Sequence, residues 1–282
     1  MLPMHSKYYK FNDTVIRVIT PVKIVNSEPY SQFLCDECKA DFTVEYSFSE
    51  LLPEIPDNAV EGTDITVYNE RGVQYCWYKN HGAEGCYACR IFSEKSKKVI
   101  LLSDFREKLW NRVVFDLLGF EELMSDSQKA VIHASYIIKN GSAILFTAPS
   151  GTGKSTQAML WEKYADAEIV NGDKAMISRC DENIVACGLP FSGSSGFCRN
   201  ITAPIKAVVC LAQAKENKLC RLSSSDAFVL VLTGCYLPVG NPDSSSGVID
   251  IINQICDELP VYKFECLPDE SSVRVLENEL CL

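Results

Sequence analysis

Residues Ile144 to Trp161 read "ILFTAPSGTGKSTQAMLW". An apolar run enters a glycine and hydroxyl loop, and a helix-forming segment follows with no spacer. That order predicts a strand, a phosphate-holding turn and a helix. Glycines at 151 and 153 let the backbone turn consecutive N–H groups onto an anion. The helix that starts there adds the positive end of its dipole. Lys154 then reaches the terminal phosphates of a nucleotide, and the Ser155 hydroxyl can bind Mg2+. The expected nucleotide-binding residues are Ser150, Gly151, Thr152, Gly153, Lys154, Ser155 and Thr156. The strict pattern asks for glycine at 148; this chain has Ala148, and Pro149 stiffens the entry.

A nucleotide site also needs an acid at the end of a neighbouring strand to hold Mg2+. "AEIVNGDKAMI" supplies Asp173, and the same residues read as an Asn-Gly-Asp turn between two strands. The two readings are compatible. His133 lies in the apolar stretch "AVIHASYI" just ahead of the loop strand. Alone it reads as a core histidine, and its place beside the loop gives it a second reading. Farther on, "GLPFSGSSGFCRNITAP" has only glycine and serine from Ser192 to Gly196, with Arg199 behind. It reads either as a flap whose Arg199 meets phosphate or as a flexible surface loop.

The chain has 282 residues, 47% of them hydrophobic, enough for one large domain or two small ones. Its net charge of −10 gives no general attraction for nucleic acid or anionic lipid. The first residues lack the apolar core of a signal peptide, and no window approaches a membrane span, so the expected location is the cytoplasm. Fourteen cysteines are scattered, mostly in apolar segments, where a free thiol acts as a small hydrophobe. Cys35–Cys38 and Cys86–Cys89 have zinc-ligand spacing, but a regular strand would turn Cys86 and Cys89 to opposite faces. Ordinary cysteines are the expectation there.

Residues 1–102 read as short alternating strands with turns between them, an antiparallel meander forming a β-rich N-terminal domain. Residues 103–129 read as a helical connector. Its first helix is expected to start at an N-cap Ser103, with Asp104 and Glu107 in the first turn. Phe105, Leu109, Trp110, Val113 and Leu117 recur at helical spacing, and Gly119 closes it. Residues 130–282 alternate strand and helix, opening with a hairpin signal at Asn140-Gly141. The class is α/β, or mixed α+β.

His133, the "NGSAILFTAPSGTGKST" turn, strand and loop, and the "VNGD" acid together resemble the core shared by HPr kinase/phosphorylase and ATP-dependent phosphoenolpyruvate carboxykinase. The resemblance covers roughly residues 130 to 212, while residues 1–102 match neither enzyme. The "APIKAVVCLAQA" strand and the "ECLPDESSV" ending look like HPr-kinase-like proteins of undefined role. The resemblance implies a P-loop kinase core using ATP and Mg2+. Lys154 and Ser155 match the nucleotide-binding and Mg2+-binding positions, and Asp173 the first of a pair of acids. His133 matches a metal ligand of the carboxykinase and an active-site residue of the kinase. The second acid of the pair is here Lys174, and the glycine-rich kinase signature with a glutamate is not recognisable.

Two classes of function follow. One is an ATP-dependent phosphotransferase acting on a hydroxyl of a serine in a small protein or peptide, or of a small metabolite. In it Asp173, Lys154, His133 and Arg199 do the chemistry, with Ser155 and Asp173 on the metal. The other is a nucleotide-binding regulator without transfer, favoured by Lys174. A carboxykinase is a distant third, because a cation at the second acid position opposes a second divalent metal. The sequence leaves the acceptor, the choice of ATP or GTP and the oligomeric state open.

Overall fold

The computed structural model describes residues 4–80, 84–102, 109–238 and 242–282. It is a mixed α/β structure made mostly of strands. The chain divides into two compact units. The first runs through Leu123 and takes in a short piece at Pro238; the second is Met124–Leu237 with Ser244–Leu282.

The first unit is built on a nine-stranded sheet. Its strands are β1 (His5–Phe11), β2 (Thr14–Thr20), β4 (Leu34–Cys35), β5 (Phe42–Ser49), β6 (Val60–Glu61), β7 (Ile65–Glu70), β8 (Val73–Lys79), β9 (Cys86–Ser93) and β10 (Lys97–Leu102). The spatial order is β4-β1-β2-β5-β10-β9-β8-β7-β6. Local hairpins follow the turn chemistry: Arg71-Gly72 joins β7 to β8 with both residues at positive φ. The expected all-antiparallel meander needs correction. β5 runs parallel to both its neighbours, β2 and β10. Turn residues specify hairpins, whereas a parallel pairing is made by a crossover whose partner no local signal names. An aromatic cluster fills the interior: the Phe11 ring centroid lies 5.2 Å from that of Phe33 and 4.8 Å from that of Phe120. Arg90 is buried too, paired with Glu122 and stacked on Phe92.

The connector also differs from expectation. Ser103, Asp104, Phe105 and Glu107 lie outside the described residues. Leu109–Trp110 is a two-residue strand, β11, paired in parallel with β3 (Ile24–Val25). The helix, α1, spans only Asn111–Leu117, and Trp110 is 46% exposed rather than on a buried face. Asn111 explains the extended lead-in. Its buried carbonyl oxygen accepts from the Ser27 amide at 3.2 Å and the Ser27 hydroxyl at 3.1 Å, pinning the chain beside β3. A second helix, α2, is Phe120–Asp126.

The second unit carries β12 (Ala130–Lys139), β13 (Ser142–Thr147), α3 (Lys154–Ala165), β14 (Glu168–Asn171), β15 (Lys174–Cys180), β16 (Asn183–Cys187) and β17 (Thr202–Gln213). After them come β18 (Lys218–Arg221), α4 (Ser224–Gly234), α5 (Pro242–Glu258), β19 (Val261–Cys266) and α6 (Glu270–Leu280). β12 and β13 form the hairpin signalled by Asn140-Gly141, both at positive φ. β13 then pairs in parallel with β17, which pairs in parallel with β19. Its side chains alternate between two cores. Ile144 and Phe146 pack with Trp161 of α3 and with Val273 and Leu276 of α6. Ala143 and Leu145 pack with Val231 of α4 and Ile252 of α5. Burial on both faces explains why this strand reads as an unbroken apolar run. The polar edge strand β18 has no sequence signature, and its pairing with β19 supplies it.

Among the described residues no group of three or more His, Cys, Asp or Glu side chains is placed to hold a metal. Cys35 lies on β4 and Cys86 and Cys89 on β9, with four strands between them. At the spacing of neighbouring strands that is on the order of 20 Å along the sheet, too far for one tetrahedral site. Burial pushes the thiols of Cys89 and Cys210 up to about 12. The unfolded chain loses these protons near pH 9.0 and the native chain keeps them, so stability falls as pH rises past 9.0. The expected result is a lower urea midpoint at pH 10 than at pH 8, with both cysteines refractory to iodoacetamide until the chain unfolds.

No helix among the described residues is long and apolar enough to cross a membrane.

Candidate functional site

β13 ends at Thr147 and α3 begins at Lys154, so the intervening loop has six residues to reverse and present its amides. Gly151 and Gly153 sit at φ +77° and +119°, conformations that carry a steric cost for any residue with a Cβ. Lys154 is 7% exposed. Its ammonium folds back over the loop, donating to the Ala148 carbonyl at 3.0 Å and the Pro149 carbonyl at 3.4 Å. The side chain thus lies across the hollow of the loop. Ala148, where glycine was expected, is packed against the α3 core. Gln213 at the end of β17 steadies the outer rim, donating to the carbonyls of Gly151 and Thr152 at 3.4 and 3.3 Å.

Asp173 is aimed by a turn that a buried asparagine side chain closes. The fully buried Asn171 accepts at its side-chain oxygen from the amides of Asp173 (2.8 Å) and Lys174 (2.9 Å). Its amide group donates to the carbonyls of Leu189 (2.8 Å) and Phe191 (3.0 Å). One side chain therefore fixes the acidic turn and ties it to the entry of the glycine-serine loop. Between Asn171 and Asp173, the Gly172 carbonyl accepts from Ser135 of β12 at 3.0 Å and from Ser155 of α3 at 3.1 Å. This carbonyl joins the acidic turn to the first turn of the loop helix.

His133 and Lys174 are direct partners across β12 and β15. His133 Nε2 lies 3.3 Å from Asp173 Oδ1. Burial, with Lys154 and Lys174 nearby, holds the imidazole below its ordinary range, and Asp173 opposes them. Burial likewise lowers the Lys154 ammonium, again against Asp173. Lys174 is stacked between aromatic rings, its ammonium 4.4 Å from the Tyr236 centroid and 5.3 Å from that of Phe191. The Lys174 cation is thus held by ring faces beside the site.

Two clefts flank the loop. One of about 240 Å³ is lined by His133, Thr147, Ala148, Pro149 and Gly234. The other, about 350 Å³, opens between Gly151, Gly153, Thr156, Gln213 and Pro268. Lys154, Ser155, Asp173 and His133 are brought together in this way. Arg199 is not brought to them: its guanidinium is paired with Glu168. The glycine-serine loop ahead of it does reach the site. A Cβ placed on Gly193 would lie 2.7 Å from Asp173 Cγ, so only glycine allows this backbone so close to the carboxylate.

Sequence reasoning did not single out Asn171, Ser135 or Gln213. An asparagine two residues ahead of an acid in "VNGD" is a signal for a side-chain-closed turn, and it identifies Asn171 in retrospect. Ser135 and Gln213 act through backbone carbonyls that only the folded chain brings near.

The residues fit a nucleotide with Mg2+ on their donor chemistry. Mg2+ takes few protein oxygens, typically one carboxylate and a hydroxyl, and leaves the rest to phosphate and water. A hydroxyl and a carboxylate, as Ser155 and Asp173 carry, are donors of that kind.

No family model matches the chain. No curated protein matches it either. Among solved structures it is similar to the Hpr(Ser) kinase/phosphatase from Coxiella burnetii, at 11% identity and a TM-score of 0.31, over 53% of this chain and 92% of that one.

Proposed function

We propose that the chain is an ATP-dependent phosphotransferase whose acceptor is a hydroxyl, of a serine in a small protein or peptide or of a small metabolite. The observation that carries this reading is the Gly172 carbonyl, which couples Ser155 of the loop helix to the turn bearing Asp173. It supports the reading because it joins the start of the loop helix to the turn that carries a carboxylate.

In this reading residues 150–156 bind the phosphates through their amides, and Lys154 swings from the Ala148 and Pro149 carbonyls onto them. The bound metal would shield phosphate charge, held by Ser155 and Asp173. Asp173 orients the acceptor hydroxyl and takes its proton, and His133 holds Asp173 in place. Lys174 adds positive charge at the edge of the reacting centre. Arg199 keeps a proposed role on phosphate only if it leaves Glu168 when the loop moves.

Lys174 also favours a second reading, a nucleotide-binding regulator without transfer, because it stands where the resemblance places an acid. The two separate in one assay. Purified protein is incubated with γ-labelled ATP, Mg2+ and an extract of the source cell, beside Asp173→Asn. The proposed function expects label in a discrete protein, peptide or small-molecule fraction, absent with the variant. Bound nucleotide with no Asp173-dependent label in any fraction would leave the regulator.

A further inference from the structure

We propose that Ser195 is itself a phosphate acceptor, so that the chain phosphorylates its own glycine-serine loop; this rests on the phosphotransferase reading above. Ser192, Ser194 and Ser195 all lie in that loop, but they are not equivalent. Ser194 is exposed, whereas Ser195 is half-buried and turned onto the acidic turn. A point one bond out from the Gly172 Cα lies 2.2 Å from Ser195 Oγ, and 4.0 Å from the Oγ of Ser155. The serine hydroxyl therefore stands against the backbone that links the loop helix to Asp173.

The loop is shaped to put it there. Gly193 and Gly196 flank the serine pair at φ +54° and +74°. Gly193 lies against the Asp173 carboxylate, where a Cβ would be 2.8 Å from Oδ1. The Gly172 amide donates to the Phe197 carbonyl at 3.4 Å, and Asn171 forms a bridge with Cys198, which anchors the far side of the loop. The hydroxyl of Ser195 donates to the Ser192 carbonyl at 2.7 Å and accepts from the Phe197 amide at 3.3 Å. Both partners lie within the loop, so the hydroxyl can exchange them when nucleotide arrives.

In the step itself the Ser195 oxygen bonds to the γ-phosphorus of ATP as the bond from that phosphorus to the β-bridging oxygen breaks. ADP leaves with the electron pair, and the hydroxyl proton passes to the Asp173 carboxylate. A phosphoserine so formed places a dianion against Asp173 and the hollow of the loop. It therefore opposes the next ATP more than ADP, whose shorter phosphate chain keeps its charge farther away.

The test incubates the full chain with Mg2+ and ATP and follows intact mass and fragment masses. The expected result is one added phosphoryl group on the peptide spanning 192–196, assigned to Ser195. It is lost in Ser195→Ala and in Lys154→Ala, and its rate constant is independent of protein concentration over a tenfold range. A binding readout accompanies it: Ser195→Asp is expected to bind a non-hydrolysable ATP analogue at least tenfold more weakly than Ser195→Ala, with a smaller effect on ADP. Transfer to an extract acceptor with none to 192–196 would overturn the inference and leave the phosphotransferase standing. So would a phosphoryl group that persists in Ser195→Ala, a rate that rises with protein concentration, or equal analogue affinities for the two variants. No transfer to any acceptor, internal or external, would overturn both.

Discussion

Asp173→Asn is expected to reduce phosphoryl transfer about a thousandfold while leaving nucleotide affinity within a few-fold of the parent chain. The substitution keeps the shape of the side chain. The amide of residue 173 still donates to Asn171, since that bond is made by the backbone. What is lost is the carboxylate, which the proposed function uses as proton acceptor and as an anionic metal ligand. The amides of residues 150–153 and Lys154, which in the proposed function bind the phosphates, are untouched. The measurement is label transfer under single-turnover conditions beside a binding titration on the same preparation. Equal transfer by the variant would remove Asp173 from the chemistry.

The second large effect is expected at a residue with no chemistry of its own. Asn171→Ala takes away two acceptor and two donor interactions at a fully buried position. The carbonyls of Leu189 and Phe191 and the amides of residues 173 and 174 are then left to find water. Each buried polar group left without a partner costs about 1–3 kcal/mol, and water entry recovers part of it, so the net loss is about 3 kcal/mol of stability. The same change frees the acidic turn and the glycine-serine loop from each other. Transfer is expected to fall about a hundredfold even at temperatures where the variant is folded, because misplacing a catalytic group by about an ångström costs that much. Thermal melts and transfer assays on one preparation check both parts. Asn171→Asp is the conservative partner: it keeps the two bonds to residues 173 and 174 and loses those to Leu189 and Phe191. It is expected to retain more transfer than Asn171→Ala.

How much of this was legible from the residues depends on how local the signal is. The strand, loop and helix around Lys154 are written in consecutive residues. Glycines at positive φ, an apolar run buried on both faces and a helix start all leave local marks. The hairpins at Asn140-Gly141 and Arg71-Gly72 are equally local. The parallel placement of β5 between β2 and β10 is not, because pairing partners many residues apart compete on packing that no turn residue encodes. Trp110 shows the same limit at smaller scale. Helical spacing grouped it with Leu109, Val113 and Leu117 in one helix, but Asn111 bonded to Ser27 holds the preceding residues extended. Within the site, residue types such as Asp173 and His133 could be nominated from their neighbours in sequence, whereas the part played by Ser135 exists only once β12 lies beside the acidic turn. Arg199 was nominated by its place behind a flexible stretch, and Glu168, distant in sequence, engages it instead.

The central claim is that residues 150–156 hold the phosphates of a nucleotide and that Lys154 is the cation they need. Calorimetric titration of the full chain with a non-hydrolysable ATP analogue and Mg2+ tests this most directly, with Lys154→Ala beside it. The account predicts a single site in the parent chain and an affinity about a hundredfold weaker in the variant, which is about 2.7 kcal/mol. A melting curve establishes that the variant is folded. Absence of binding to the parent chain, or equal affinity in a folded Lys154→Ala, would contradict it.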